Sequence, residues 1–116
     1  MKTENDKNTV LAACLGKSQN MAELIEYSGD SIVSKTILDK PVGTITLFAF
    51  DCGQRLSEHT APYDAVVEVV EGQGRLTIGG KEMDVGAGEI VIMPANVPHA
   101  VNAKERFKML LTMIRA

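Results

Sequence analysis

From Ser31 onward the chain is a succession of short β-branched runs, each closed by a turn signal, with no helical period between them. Ile32–Leu38 is followed by the turn Asp39-Lys-Pro-Val-Gly43, then by Thr44–Phe50, Ala65–Val70 and Arg75–Ile78. After the Gly79-Gly80 pair come Lys81–Val85, Ile90–Met93, His99–Asn102 and Phe107–Ile114. Valine, isoleucine, threonine and phenylalanine suit a pleated, half-buried surface. A Gly-Gly pair admits the positive φ that a two-residue hairpin demands. The pattern therefore predicts an all-β chain, an antiparallel sandwich or barrel.

Ahead of that region, residues 1–30 read as an N-terminal arm and 31–116 as the barrel domain. Residues 1–19 are polar at the start and carry one brief apolar patch, Val10–Leu15, too short to fold alone. The next stretch, Asn20–Tyr27, predicts a short helix. Asn20 can cap it, Glu23 stands three residues on, and Met21, Leu24 and Ile25 share a face.

At 116 residues the chain has the length of one domain that can bury a core without staples. Its net charge is −3 and it has no Lys/Arg-rich run, so neither nucleic acid nor an anionic membrane surface is expected as a partner. No apolar stretch approaches the roughly 18 residues of a spanning helix. Leu11-Ala-Ala-Cys14 has the form of a bacterial lipoprotein cleavage box, but Met1–Thr9 is polar and supplies no apolar segment before it. Cys14 and Cys52 stand far apart and make no C-x-x-C pair, so reduced thiols and a cytoplasmic location are expected.

The chain has two histidines, and each lies in a turn-rich segment beside a strand. Gly53-Gln-Arg-Leu-Ser-Glu-His59 continues through Ala61 and Ala65 to Gly72; Gly88 leads through Pro94-Ala-Asn-Val-Pro98 to His99. In these two segments the sequence resembles the cupin superfamily, with motifs G-x5-H-x-H-x3,4-E-x6-G and G-x5-P-x-G-x2-H-x3-N. Gly53, His59 and Gly72 stand at positions of the first motif, and Gly88, Pro94 and His99 at positions of the second. The resemblance covers residues 31–116 and implies a jelly-roll barrel. It also implies a divalent transition metal inside the barrel, held by three histidines and one glutamate. Here Ala61 and Ala65 stand at the second histidine and the glutamate, Asn96 at a glycine and Ala103 at the final asparagine. Only His59 and His99 remain of the four ligands, an incomplete set.

Strand alternation gives the site an expected shape. If His59 points inward, Ala61, Ala65, Val67 and Val69 share its face and Glu68 points away. The candidate pocket is His59, His99, Ala61, Ala65 and Gln54, with Gln54, Glu58, Asp64 and Cys52 as sources of a third donor. Metal sites of this kind use at least three protein ligands. Two alanines in place of a histidine and a glutamate favour a more apolar interior, where two imidazoles orient a small molecule by donating and accepting hydrogen bonds. Three functions stay open: a small-molecule-binding cupin, a metal-dependent oxygenase, isomerase or lyase, and a non-catalytic partner whose barrel is packed solid by Phe48, Phe50 and methionines. The resemblance also implies a homodimer. Val66 and Val70, opposite Ala65, are expected to contact the second copy.

Overall fold

The computed structural model describes residues 9–115. Of the loose arm expected at residues 1–19, residues 1–8 lie outside that range; Thr9–Val10 pairs with Leu38 and Asp39 as a short strand, and Ala12–Cys14 forms a 3-10 turn. Among the described residues nine strands follow one another: β1 (Thr9–Val10), β2 (Ile32–Lys40), β3 (Gly43–Phe50), β4 (Arg55–His59), β5 (Asp64–Ile78), β6 (Lys81–Gly86), β7 (Ile90–Met93), β8 (His99–Asn102) and β9 (Phe107–Ile114). They pair antiparallel in the order β1-β2-β3-β9-β5-β8-β4, with β6 and β7 also bonded to β5.

Strand β5 makes this one sheet fold over on itself. Its first part pairs with β7 and β9, and its second part with β6 and β8. Sequence reading divides this stretch into two strands, at Glu71-Gly-Gln-Gly74. The structure keeps it continuous, through a register shift between Val69 and Glu71 and a left-handed Gly72 at φ 75°. A bulge of this kind is how a strand turns the corner between two packed layers. A Cβ on Gly72 would fall 2.4 Å from the Arg106 carbonyl oxygen, so the corner needs glycine for space as well as for φ.

Between the layers lies the main core: Phe50, Ala65, Val67, Val69, Leu76, Val85, Met93, Val101, Ala103, Phe107 and Met109, all buried. Phe50 and Phe107 stack at its centre, with ring centroids 4.7 Å apart and planes 10° from parallel. Pairing Phe50 with Phe107 across β3 and β9 sets this contact. Alternation sends Leu47 and Ala49 to the other face, where Ile25, Leu24, Tyr27, Val33, Ile37, Val70 and Leu110 form a second cluster.

That second cluster explains why the expected helix at Asn20–Tyr27 is reduced to one 3-10 turn, Met21–Glu23. Asn20 does cap it, its Oδ1 accepting from the Ala22 and Glu23 amides at 3.0 and 3.3 Å. The barrel takes backbone groups that a longer helix would have used. Lys108 Nζ donates to the Ala22 carbonyl and Lys35 Nζ donates to that of Leu24. The Tyr27 hydroxyl donates to Glu71 at 2.6 Å; burial, reinforced by that bond, pushes its pKa up. Tertiary contacts thus override a helix too short to be stable alone. They also place Val70, expected to meet a second copy, against the chain's own N-terminal segment.

Truncating the central stack checks this packing. Phe107→Ala is expected to destabilise the fold by about 3–5 kcal/mol, read as a lowered urea midpoint.

Candidate functional site

Strand β4 is absent from the sequence reading, which places His59 in a turn-rich segment. Its apolar content is the single Leu56, and pairing with β8 makes it a strand all the same. Leu56 lies opposite Val101 and His59 opposite His99, so the two residues Ser57 and Glu58 face the single residue Ala100. This is a β-bulge. In a regular strand, residues three apart point to opposite faces. The extra residue cancels that parity and puts His59 on the side of Leu56 and the main core. Glu58 is exposed.

Across the second layer the register continues from His59 to His99 and on to Ile78 of β5. The loop ahead of His99 is held from three sides. The Asn96 amide donates to the Ala61 carbonyl at 2.7 Å, the Ala95 amide to Asp64 Oδ1 at 2.8 Å, and the Gly79 amide to the Pro98 carbonyl at 2.8 Å. Asn96 sits at φ 66°, a left-handed conformation that asparagine tolerates.

The two rings meet edge to face, with centroids 4.3 Å apart and Nε2 of His59 3.1 Å from Nε2 of His99. His59 Nδ1 lies 2.8 Å from the Ser57 carbonyl oxygen and His99 Nδ1 lies 3.2 Å from that of Val97. A carbonyl oxygen only accepts, so each Nδ1 carries the proton. In the neutral rings each Nε2 is then a bare acceptor. Two lone pairs therefore converge, and nothing in the neutral pair bridges them. The contact becomes attractive once a proton, a hydrogen-bond donor or a cation lies between. His99 is 5% exposed, and desolvation, with a smaller contribution from nearby His59, pushes its pKa down against the raising effect of the Val97 carbonyl.

The other pocket candidates are placed differently. Ala61 lies beyond β4, half-buried, and serves through its carbonyl. Ala65 is buried in the main core and flanked across the sheet by Met93 and Met113, so this alanine adjoins packed methionines. Gln54 bonds the Ala103 amide at the far end of the β4–β8 ladder, about 17 Å along the strand from His59. Cys52 is at that end too, its thiol donating to the Lys104 carbonyl. Asp64 is engaged with Ala95. No third donor joins the histidines, and among the described residues no group of three or more His, Cys, Asp or Glu is placed to hold a metal. Five surface cavities of about 210–420 Å³ are lined by residues other than the two histidines.

A divalent metal, as the fold implies, meets half a site here. A separation of 3.1 Å suits two nitrogens that share one ion at the usual length of about 2.0–2.1 Å and lie cis to one another. Fixed Nδ1 bonds of this kind are what orient metal-binding histidines. The pair fits two positions and leaves the others to donors from outside the chain.

The Cupin domain family matches residues 46–114, and the chain belongs to the cupin superfamily. A conserved protein of unknown function from Streptococcus pyogenes is 28% identical over 98% of both chains, with a TM-score of 0.86. A cupin 2 conserved barrel domain protein from Leptotrichia buccalis is 44% identical over 80% of this chain, with a TM-score of 0.78, and this chain spans 45% of it. A salicylate 1,2-dioxygenase from Pseudaminobacter salicylatoxidans shares the fold at 15% identity and a TM-score of 0.68, over 74% of this chain and 27% of its own. No curated relative matches the chain in sequence.

The lowered pKa of His99 has a thermodynamic consequence. The unfolded chain binds the proton more readily, so stability rises with pH across the window between the two pKa values. His99 is expected to contribute fully above about pH 6.5 and to lose that contribution as pH falls towards its folded-state pKa. Urea unfolding of the native chain and of His99→Gln over this range tests it; the variant should show the shallower slope.

Proposed function

We propose that this cupin binds a small molecule at one end of its barrel, with His59 and His99 as the polar anchor. The observation that carries this reading is the convergence of two Nε2 lone pairs on one point, 3.1 Å apart. Ser57 and Val97 hold the rings in the tautomer that leaves both acceptors free. His59 is exposed while His99 is buried, so a ligand can approach from solvent and still reach a desolvated partner. The chemistry asked of the ligand is a hydrogen-bond donor or a cation: a hydroxyl, an ammonium or a metal ion.

A metal-dependent oxygenase, isomerase or lyase is the second reading, favoured by the same spacing, which suits two cis metal ligands. His59 and His99 would hold the ion, and the Ser57 and Val97 carbonyls would fix their orientation. When bound, such an ion would supply Lewis acidity. Homodimer formation accompanies either reading. Its support is the outer face near Val66, where Ile90 is 63% exposed and Ile92 58%. A cytoplasmic location, with Cys14 and Cys52 as free thiols, is consistent with both. Among the described residues no helix is long and apolar enough to cross a membrane.

Elemental mass spectrometry and thermal-shift screening of untagged protein, beside a His59→Ala, His99→Ala double variant, separate these readings. Ligands are expected to raise the Tm of the native chain and not of the variant. Equal shifts in both would move binding away from the pair. About one transition metal per chain, lost in the variant, would favour the enzyme.

A further inference from the structure

We propose that the chain carries a second ligand site, in which neither histidine takes part. The cavity between its N-terminal segment and the outer face of the sheet takes the alkyl chain of a medium-chain carboxylate, with the head group at Lys17.

The floor of this cavity follows from strand parity. Alternation in β3 sends Ile45 and Leu47 to the face away from the main core, and Leu110 of β9 lies opposite Leu47. On β2 the register shifts between Thr36 and Leu38, so Ile37 is an extra residue without a partner on β3. These apolar side chains line one wall of a cavity of about 340 Å³. That volume lies at the small end of the range for ligand sites, roughly 300–1,000 Å³.

Cys14, Met21 and Leu24 line the opposite wall. The segment that carries them is fixed to the barrel at both ends. At its start β1 pairs with β2, and the Leu11 amide donates to the Ile37 carbonyl at 2.8 Å. At its end Lys108 holds the Ala22 carbonyl and Lys35 that of Leu24. Between these anchors lie two 3-10 turns, and Gln19 Nε2 donates back to the Ala13 carbonyl at 2.7 Å. A roof pinned in this way cannot settle onto the floor, and apolar cavities that cannot collapse accept apolar guests.

The gradient of burial selects the class of guest. Leu47 is fully buried and Ile37, Ile45, Leu24 and Leu110 are half-buried, whereas Lys17 and Gln19 are exposed at the mouth. Lys17 is the charged side chain of the lining. Its ammonium favours an anionic head that stays in water while the chain goes in. A second copy of the protein would need a broad open face, about 800 Å² on each partner. Here the chain's own N-terminal segment covers the floor.

The test titrates butanoate, hexanoate, octanoate and octanol into untagged protein, read by methyl NMR, with light scattering for the mass. Octanoate is expected to shift the methyl signals of Ile37, Ile45, Leu47 and Leu110 saturably and to give intermolecular NOEs to them. Each added methylene should tighten binding about fourfold. Lys17→Gln should weaken octanoate roughly two- to fivefold, as loss of an exposed ion pair does, and leave octanol unchanged. Ile45→Phe, which fills the floor, should abolish binding of both. Circular dichroism verifies folding, and Cys14→Phe fills the cavity from the roof if Ile45→Phe unfolds.

Absence of saturable octanoate binding would overturn the proposal, as would an affinity that does not rise with chain length. An unchanged octanoate affinity in Lys17→Gln would overturn the placement of the head group and with it the choice of a carboxylate. NOEs to His59 and His99 in place of the cavity residues would move the guest to the barrel end and overturn it too. A dimer that buries these methyl groups and takes no octanoate would make a second copy the occupant, which contradicts it equally.

Discussion

One extra residue in β4 sets the geometry of the site. Because Ser57 and Glu58 together face Ala100, His59 arrives opposite His99 on the core side of the sheet. The same bulge brings the Ser57 carbonyl within 2.8 Å of His59 Nδ1, which fixes the proton on that nitrogen and frees Nε2. Backbone pairing, ring orientation and tautomer thus follow from a single local irregularity. Bulges next to binding sites commonly re-aim a side chain in this way.

What stabilises this arrangement lies at both ends of the β4–β8 ladder. At the far end the Gly53 amide donates to the Ala103 carbonyl, and the Ala103 amide donates to that of Gln54. Arg106 Nε and the Asp30 amide both donate to the Asp51 carboxylate, whose pKa is pushed down by the Arg106 bond first. At the near end, Ala61, Asp64 and Gly79 hold the loop that presents His99. Asp64 and Gln54, candidates for a ligand contact in the sequence, therefore act as scaffold. The core behind them is filled by the Phe50–Phe107 stack and its neighbours, which keeps the anchor at the end of the barrel.

Much of the fold was legible in the sequence for a physical reason: strands buried on one face must alternate, and turns that need positive φ favour glycine, asparagine or aspartate. Gly72 and Asn96 adopt such conformations, at 75° and 66°. Ala65, Val67 and Val69 are buried, while Glu68 between them is half-buried on the opposite side. Less legible was β4, whose residues carry little β pattern and depend on β8 to become a strand. The helix expected at Asn20–Tyr27 failed because Lys35 and Lys108, distant in sequence, take its carbonyl groups. Parity from Leu56 to His59 could not be read either, since a bulge is invisible to a period-two argument. The pairing of the histidines was suggested by motif spacing; their 3.1 Å contact and tautomers needed coordinates.

The most direct measurement is long-range proton–nitrogen NMR of the two imidazole side chains in ligand-free protein, above the pH at which either ring is charged. It reports which nitrogen of each ring carries the proton. Protonated Nδ1 and unprotonated Nε2 are expected on both His59 and His99. A protonated Nε2 on either ring would contradict it, because the histidines would then hydrogen-bond to each other and the paired acceptors would not exist.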